Sequence, residues 1–110
     1  MYNYVMLIGT VKEMRSEFIV NQHFVTITLD CRRPFRNMDG EQESDEFEIR
    51  CYEYLGDVMY QNLKEGMKIT VKGRLRQSNR KGLCWILAEQ VLFMGEGEMH
   101  AINSDGEENC

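Results

Sequence analysis

Apolar side chains recur at every second position through most of this chain, and the period lengthens to three or four only once. Met67, Ile69, Val71 and Leu75 alternate with Lys68, Thr70, Lys72, Arg74 and Arg76, the pattern of a strand with one face buried and the other wet. Comparable stretches predict strands over roughly 3–13, 23–32, 45–54, 67–77 and 83–94. The exception is Leu55, Val58, Met59 and Leu63, whose spacing predicts a helix over roughly 56–64 with its apolar stripe plugging one end of a barrel. Gly66 then supplies the left-handed residue expected after a helix end. Gly9 and Gly73 fall inside strands, where glycine commonly marks the sharp bend of a sheet that curls closed.

Five strands with a single helix between the third and fourth is the element order of an all-β OB-fold, a five-stranded Greek-key barrel. The 110 residues suffice for one such domain.

Charge changes the picture in two steps. The chain carries 13 Lys plus Arg against 18 Asp plus Glu, a formal net charge of −5, which argues against a polyanionic partner. Five of the acids (Glu96, Glu98, Asp105, Glu107, Glu108) follow Met94, however, and removing them leaves 13 against 13 in residues 1–94. What matters is then how the charges segregate. Arg32, Arg33 and Arg36 surround Phe35 just past the second strand, while Asp39, Glu41, Glu43, Asp45 and Glu46 gather in the stretch after it. The turn Gln77-Ser78-Asn79-Arg80-Lys81-Gly82 reads as a hairpin arm with Arg80 and Lys81 at its tip and Arg74 and Arg76 at its root. A polyanion laid along the row Lys68, Lys72, Arg74, Arg76 would meet charges in register; the competing reading is a plain solvated strand face.

Several function classes drop out. The chain has no Gly-x-x-x-x-Gly-Lys phosphate loop, Gly-x-Ser-x-Gly elbow or His-Glu-x-x-His pair, so it reads as a non-enzyme. Cys31, Cys51, Cys84 and Cys110 are widely spread and stand in no ligand spacing with His23 or His100, so no metal or other cofactor is expected. The first three fall in predicted strands and read as small core or near-core side chains, and Cys110 as a free terminal thiol. With only short apolar runs and no leader-like start, the chain is expected to be cytoplasmic and to have no membrane partner.

The segments Met1-Tyr2-Asn3-Tyr4-Val5-Met6-Leu7-Ile8-Gly9-Thr10-Val11, Phe24-Val25-Thr26-Ile27-Thr28-Leu29 and Ser44-Asp45-Glu46-Phe47-Glu48-Ile49-Arg50-Cys51-Tyr52 open a longer series. Tyr60-Gln61-Asn62-Leu63-Lys64-Glu65-Gly66, Val71-Lys72-Gly73-Arg74-Leu75 and Leu87-Ala88-Glu89-Gln90-Val91-Leu92-Phe93-Met94 continue it. In this order and spacing they resemble the bacterial single-stranded DNA-binding protein family over roughly residues 1–94.

The resemblance implies non-sequence-specific binding of single-stranded DNA, coating and protecting strands in replication, recombination or repair. It also implies assembly as a homodimer or homotetramer and contacts with replication or repair proteins. Such binding needs cations for phosphates and flat rings for unstacked bases. Phe35 and Phe47 occupy positions that stack bases in relatives, and Tyr52 or Tyr54 stands where a third ring is found. Trp85 is a further candidate, with core packing or a subunit contact as its alternative. The expected DNA-binding set is therefore Phe35, Phe47, Tyr52, Tyr54 and Trp85 with Arg32, Arg33, Arg36, Lys72, Arg74, Arg76, Arg80 and Lys81. Two departures from the family pattern stand out. The arm residues Gln77, Ser78 and Asn79 offer no ring, and residues 95–110 are polar and acidic, read as a short disordered tail that competes weakly with DNA. The ring-free arm and the lack of an apolar tip favour the alternative of an OB-fold protein-interaction module, an accessory primosome-type factor with weak nucleic-acid binding.

Overall fold

The computed structural model describes residues 2–80 and 82–108. Among them the elements run β1 (Val5–Ile19), β2 (Gln22–Arg36), β3 (Gln42–Tyr52), α1 (Glu53–Asn62), β4 (Lys68–Gln77), β5 (Cys84–Gly95) and β6 (Glu98–Asn103). The strands hydrogen-bond in the order β3-β2-β1-β4-β5-β6. A parallel pairing of β3 with β5, Ile49 beside Ile86 and Arg50 beside Leu87, closes the first five into the expected OB barrel.

Closure depends on β1 serving two partners. Its first half, Val5 to Thr10, pairs with β4, and its second half, Thr10 to Ile19, pairs with β2. Between Val11 and Glu13 the ladder slips, so Lys12 is an extra residue that bends the strand and lets it pass from one partner to the other. A turn holds the bend from below: Gly66 N–H donates to the Val11 carbonyl at 2.8 Å, and Val11 N–H donates to the Met67 carbonyl at 2.8 Å. Gly66 does adopt a positive φ of 91°, but not as a helix cap. The helix ends at Asn62 and Leu63 is extended, so the glycine instead serves the Lys64–Met67 turn that feeds β4.

Gly9 and Gly73 are required by close approach. A Cβ at Gly9 would lie 2.6 Å from the Asp30 carbonyl oxygen, and one at Gly73 would lie 1.9 Å from that of Leu87. Gly73 adjoins the second slip, where Glu89 of β5 has no partner between Gln90, opposite Lys72, and Ala88, opposite Gly73.

Alternation fills the barrel. Val25, Ile27 and Leu29 of β2, Ile49 and Cys51 of β3, Ile69 and Val71 of β4 and Ile86, Ala88 and Val91 of β5 are all buried. The helix adds Leu55, Met59 and Leu63, four residues apart and hence on one face, which plug the barrel end as the spacing predicted. Each such side chain contributes about 1.5–3 kcal/mol of transfer free energy. The helix begins three residues before the predicted position because β3 runs directly into it, so Tyr54 lies in its first turn and not on a strand.

Three further expectations are corrected. The β1–β2 hairpin reaches a two-residue turn at Val20 and Asn21, both at positive φ, where a loop over roughly 14–22 was expected. Residues 32–36 belong to β2, not to a loop: β2 and β3 project as an arm whose tip is organised by Asn37 Oδ1, which accepts from the backbone N–H groups of Asp39 and Glu41. The stretch read as a disordered tail contains β6, paired with β5 from Gly95–Glu98 to Gln90–Asn103. Glu96 and Gly97, at φ 55° and 80°, make its tight turn, and Ile102 is buried at 5% exposure. Averaged polarity hid one well-placed apolar residue and a turn.

Candidate nucleic-acid interface

Along β3 the inward set Phe47, Ile49, Cys51 leaves Glu46, Glu48, Arg50 and Tyr52 on the outer face. There Arg50 stacks on Trp85, its guanidinium carbon 4.3 Å from the ring centroid, and also lies 5.3 Å from the Phe24 centroid. Tyr52 joins the group at 5.0 Å from Phe24 and 6.1 Å from Trp85. Phe24, at 2% exposure, is the floor of this cluster, whereas Tyr52 and Trp85 keep partly open faces. Burial works against the Arg50 charge, but Tyr52 and Glu48, the latter accepting from Arg50 Nε at 2.9 Å, outweigh it and hold the guanidinium above its ordinary pKa. The outer face of strands two and three, flanked by the β1–β2 and β4–β5 loops, is where OB barrels take oligonucleotides.

The expected cations divide into paired and free. Arg33 forks onto Asp45, with Nε and Nη2 at 3.0 and 2.9 Å, and reaches Glu43 at 2.8 Å; the guanidinium holds the Asp45 carboxyl below its ordinary range. Arg74 pairs with Glu89 at 3.1 Å. Arg36 donates to the Gly40 carbonyl within the arm at 2.9 Å. Among the described residues, Arg32, Arg36, Lys72, Arg76 and Arg80 have no carboxylate in salt-bridge range. Arg76 is the register partner of Trp85 and so stands beside the cluster, and Arg80 is exposed in the β4–β5 turn. Lys81 and Cys110 lie outside the described residues. Lys72 sits half-buried lower on β4, opposite Met6 and Gln90. Arg32 faces a separate cavity of about 490 Å³ with Lys68, Thr10 and Asp30.

The candidate rings are not all gathered together. Phe35 is 81% exposed on the arm. Phe47 pairs with Leu29, six residues back along β2 from Phe35, and with the irregularity between Arg32 and Arg36 the two phenylalanines lie at most about 20 Å apart at ~3.3 Å per residue. On the inward row of β3, Phe47 nonetheless retains 36% exposure near the root of the arm. Tyr54 is 67% exposed on the helix and lines a small cavity with Phe18, His23 and Asp57 instead of joining Tyr52. The cysteines also separate: Cys51 is fully buried and its thiol is pushed up to about 12, Cys31 is half-buried, and Cys84, expected near the core, is exposed.

A model described as the single-strand binding protein family matches residues 2–82. The chain belongs to that family. Among solved structures, it is similar to the small single-stranded DNA-binding protein of Streptomyces coelicolor, with a TM-score of 0.65 and 16% identity over 86% of this chain and 95% of that one. It is also similar to an SSB of Plasmodium falciparum in complex with ssDNA, with a TM-score of 0.69 and 19% identity over 86% of this chain and 96% of that one. Among curated proteins no match is found. Identities this low bear on the fold, which both neighbours share.

Sequence reasoning missed Arg50 and Phe24. Each lay in a quoted strand segment, and Arg50 alternated with Glu48 and Tyr52 on a polar row. Its stacking on Trp85 depends on the β3–β5 closure, a contact between strands far apart in sequence that local periodicity does not carry.

Proposed function

We propose that this chain binds single-stranded DNA without reading its sequence. The observation that carries the proposal is the outer-face cluster in which Trp85 and Tyr52 present ring faces beside the Arg50 and Arg76 guanidinium groups. A stacking platform of this kind accepts any base because every base has a π-face, and cations beside it take the phosphates. Phe35 and Arg32 on the β2–β3 arm and Arg80 on the β4–β5 turn extend the contact to either side. Family membership supports the same reading, with coating of strands during replication, recombination or repair as the biological setting. Self-association as a dimer or tetramer is part of the proposal. Met6, Ile8, Met94 and Met99 are each more than half exposed on the sheet face of β1, β4, β5 and β6, an apolar surface that a second copy would cover. No helix among the described residues is long and apolar enough to cross a membrane.

Titration of a labelled oligo-dT at several salt concentrations tests the reading, with solution mass measured with and without the oligonucleotide. Binding that weakens steeply as salt rises is expected. Absence of binding at low salt would leave the protein-interaction module as the better account.

A further inference from the structure

The segment ahead of β1 and the root of the β4–β5 hairpin enclose an open cavity of about 540 Å³ lined by Tyr2, Asn3, Tyr4, Arg76, Gln77 and Cys84 among others. The stacking surface described above makes no use of it except at Arg76. Asn3 gives the cavity its shape: its side-chain amide donates to the Leu75 carbonyl at 2.9 Å and accepts from the Leu75 N–H at 2.9 Å. These two bonds add one rung to the β1–β4 ladder beyond its last backbone pair, Val5 with Gly73. Residues on either side of a pinned extended residue project together. Tyr2 and Tyr4 accordingly stand with centroids 6.3 Å apart at 52°, while 88% and 51% exposed. Continuing the Met6–Lys72 pairing four positions back puts Tyr2 level with Arg76, which is itself level with Trp85.

We infer that Tyr2 and Tyr4, with Arg76, form a second stacking subsite that carries a single strand past Trp85 onto the N-terminal segment. The inference rests on the strand-binding reading. A nucleotide is the occupant that fits, because the site pairs two water-facing rings with a cation that has no carboxylate partner and continues the Trp85 platform across β4. Arg76 would meet the phosphate between the two stacked positions.

Fluorescence polarisation of the full chain with oligo-dT of two lengths, about 6 and about 15 nucleotides, tests it; these lengths fall within the span one such barrel covers. The double variant Tyr2→Ala with Tyr4→Ala is expected to bind both strands more weakly, the long one about tenfold from the usual strength of one stacked base, because Tyr2 stands only about 10 Å from Trp85 across β4. Tyr2→Phe with Tyr4→Phe keeps the rings and is expected to restore the long-strand affinity. Cys84, an exposed free thiol on the same cavity, gives an independent readout. Its alkylation by N-ethylmaleimide, followed by peptide mass, is expected to slow when either strand is bound. Wild-type protein that binds neither strand removes the strand-binding reading itself. Wild-type protein that binds both overturns the second subsite alone under either of two results: a double variant equal to wild type on the long strand, or an unprotected Cys84.

Discussion

Trp85→Ala separates stacking from charge at the centre of the proposed interface. A base stacked on an aromatic ring is generally worth about 1–3 kcal/mol, and at about 2 kcal/mol its loss weakens binding about thirtyfold. The ring makes no phosphate contact, so the slope of log K against log salt, about −0.7 per neutralised phosphate on a single strand, should not move. The folded state loses the Arg50–Trp85 contact, whose guanidinium carbon lies 4.3 Å from the ring centroid. With the Arg50 side chain 26% exposed, that contact is worth about 1 kcal/mol, between the exposed and desolvated limits for such pairs. Loss of the half-buried indole's own packing, including its contact with Tyr52, adds about 1–2 kcal/mol, and for a chain of this length the sum lowers Tm by roughly 8–15 °C. Polarisation of a labelled oligo-dT at three or more salt concentrations, with thermal melts alongside, reads both quantities. Affinity within twofold of wild type would refute the stacking role. A slope shallower by about one phosphate would show instead that Trp85 acts by positioning Arg50.

Phe35→Ala should weaken oligo-dT binding by roughly tenfold with an unchanged melt, because the ring is 81% exposed and supports nothing inside; an unchanged affinity measured by polarisation removes the arm from the interface. Arg76→Ala should flatten the salt slope by about one phosphate, whereas Arg74→Ala should flatten it less because Glu89 already pairs with it at 3.1 Å; equal slopes in both variants and wild type would show a solvated row. Gly73→Ala should prevent folding, since its Cβ would lie 1.9 Å from the Leu87 carbonyl oxygen and neither backbone at the barrel seam can retreat; a cooperative melt near the wild-type Tm contradicts this. Glu108 beside the His100 ring raises the imidazole pKa above 6.5, so the stabilisation of the β6 closure by this pair is complete below pH 6.5 and is lost as pH rises through the folded-state value. The His100 NMR titration midpoint should fall in Glu108→Gln, and an identical midpoint rules the pairing out.

The barrel was legible because each of its five strands alternates and its one helix does not. Ile69, Val71 and Gly73 are buried and Lys68, Arg74 and Arg76 are exposed, in the phase that the pattern of β4 implied, whereas Leu75, expected on the buried row, is 46% exposed. What local pattern could not supply was register. Arg50 meets Trp85 only because β3 and β5 pair in parallel with Ile49 beside Ile86, and Phe35 is distant from Phe47 only because β2 runs on through Pro34 into the arm, with an irregularity in its pairing between Arg32 and Arg36. The tail failed for a different reason. Its composition is that of a disordered segment, yet the two-residue turn at Glu96 and Gly97 returns the chain along β5 and places Ile102 beneath the helix, where one buried side chain outweighs the polarity of its neighbours.

The acidic balance of the chain opposes a polyanionic ligand only in part once these positions are known. Arg33 meets one of the two charges of Glu43 and Asp45, Lys12 meets Glu46, Arg50 meets Glu48 and Arg74 meets Glu89, so much of the carboxylate charge near the arm and the outer face is met locally and the remainder is screened over about 8 Å at physiological salt. The acids after Met94 are held along β5 and at the start of α1. Strand β6 pairs with β5 only from Gln90 onward, at least five residues, or about 17 Å, beyond Trp85, and Glu108 is fixed 2.8 Å from His100. Gly106 packs against Tyr54, so Asp105 and Glu107 stand near the edge of the cluster that contains Tyr52 and weaken the field for a polyanion there. Among the described residues, the arginines without carboxylate partners are then Arg32, which shares a cavity with Asp30, Arg36 near Asp39 and Glu41 at the arm tip, and Arg76 and Arg80 on the β4–β5 side. Their number, not the net charge of the chain, should fix the salt slope.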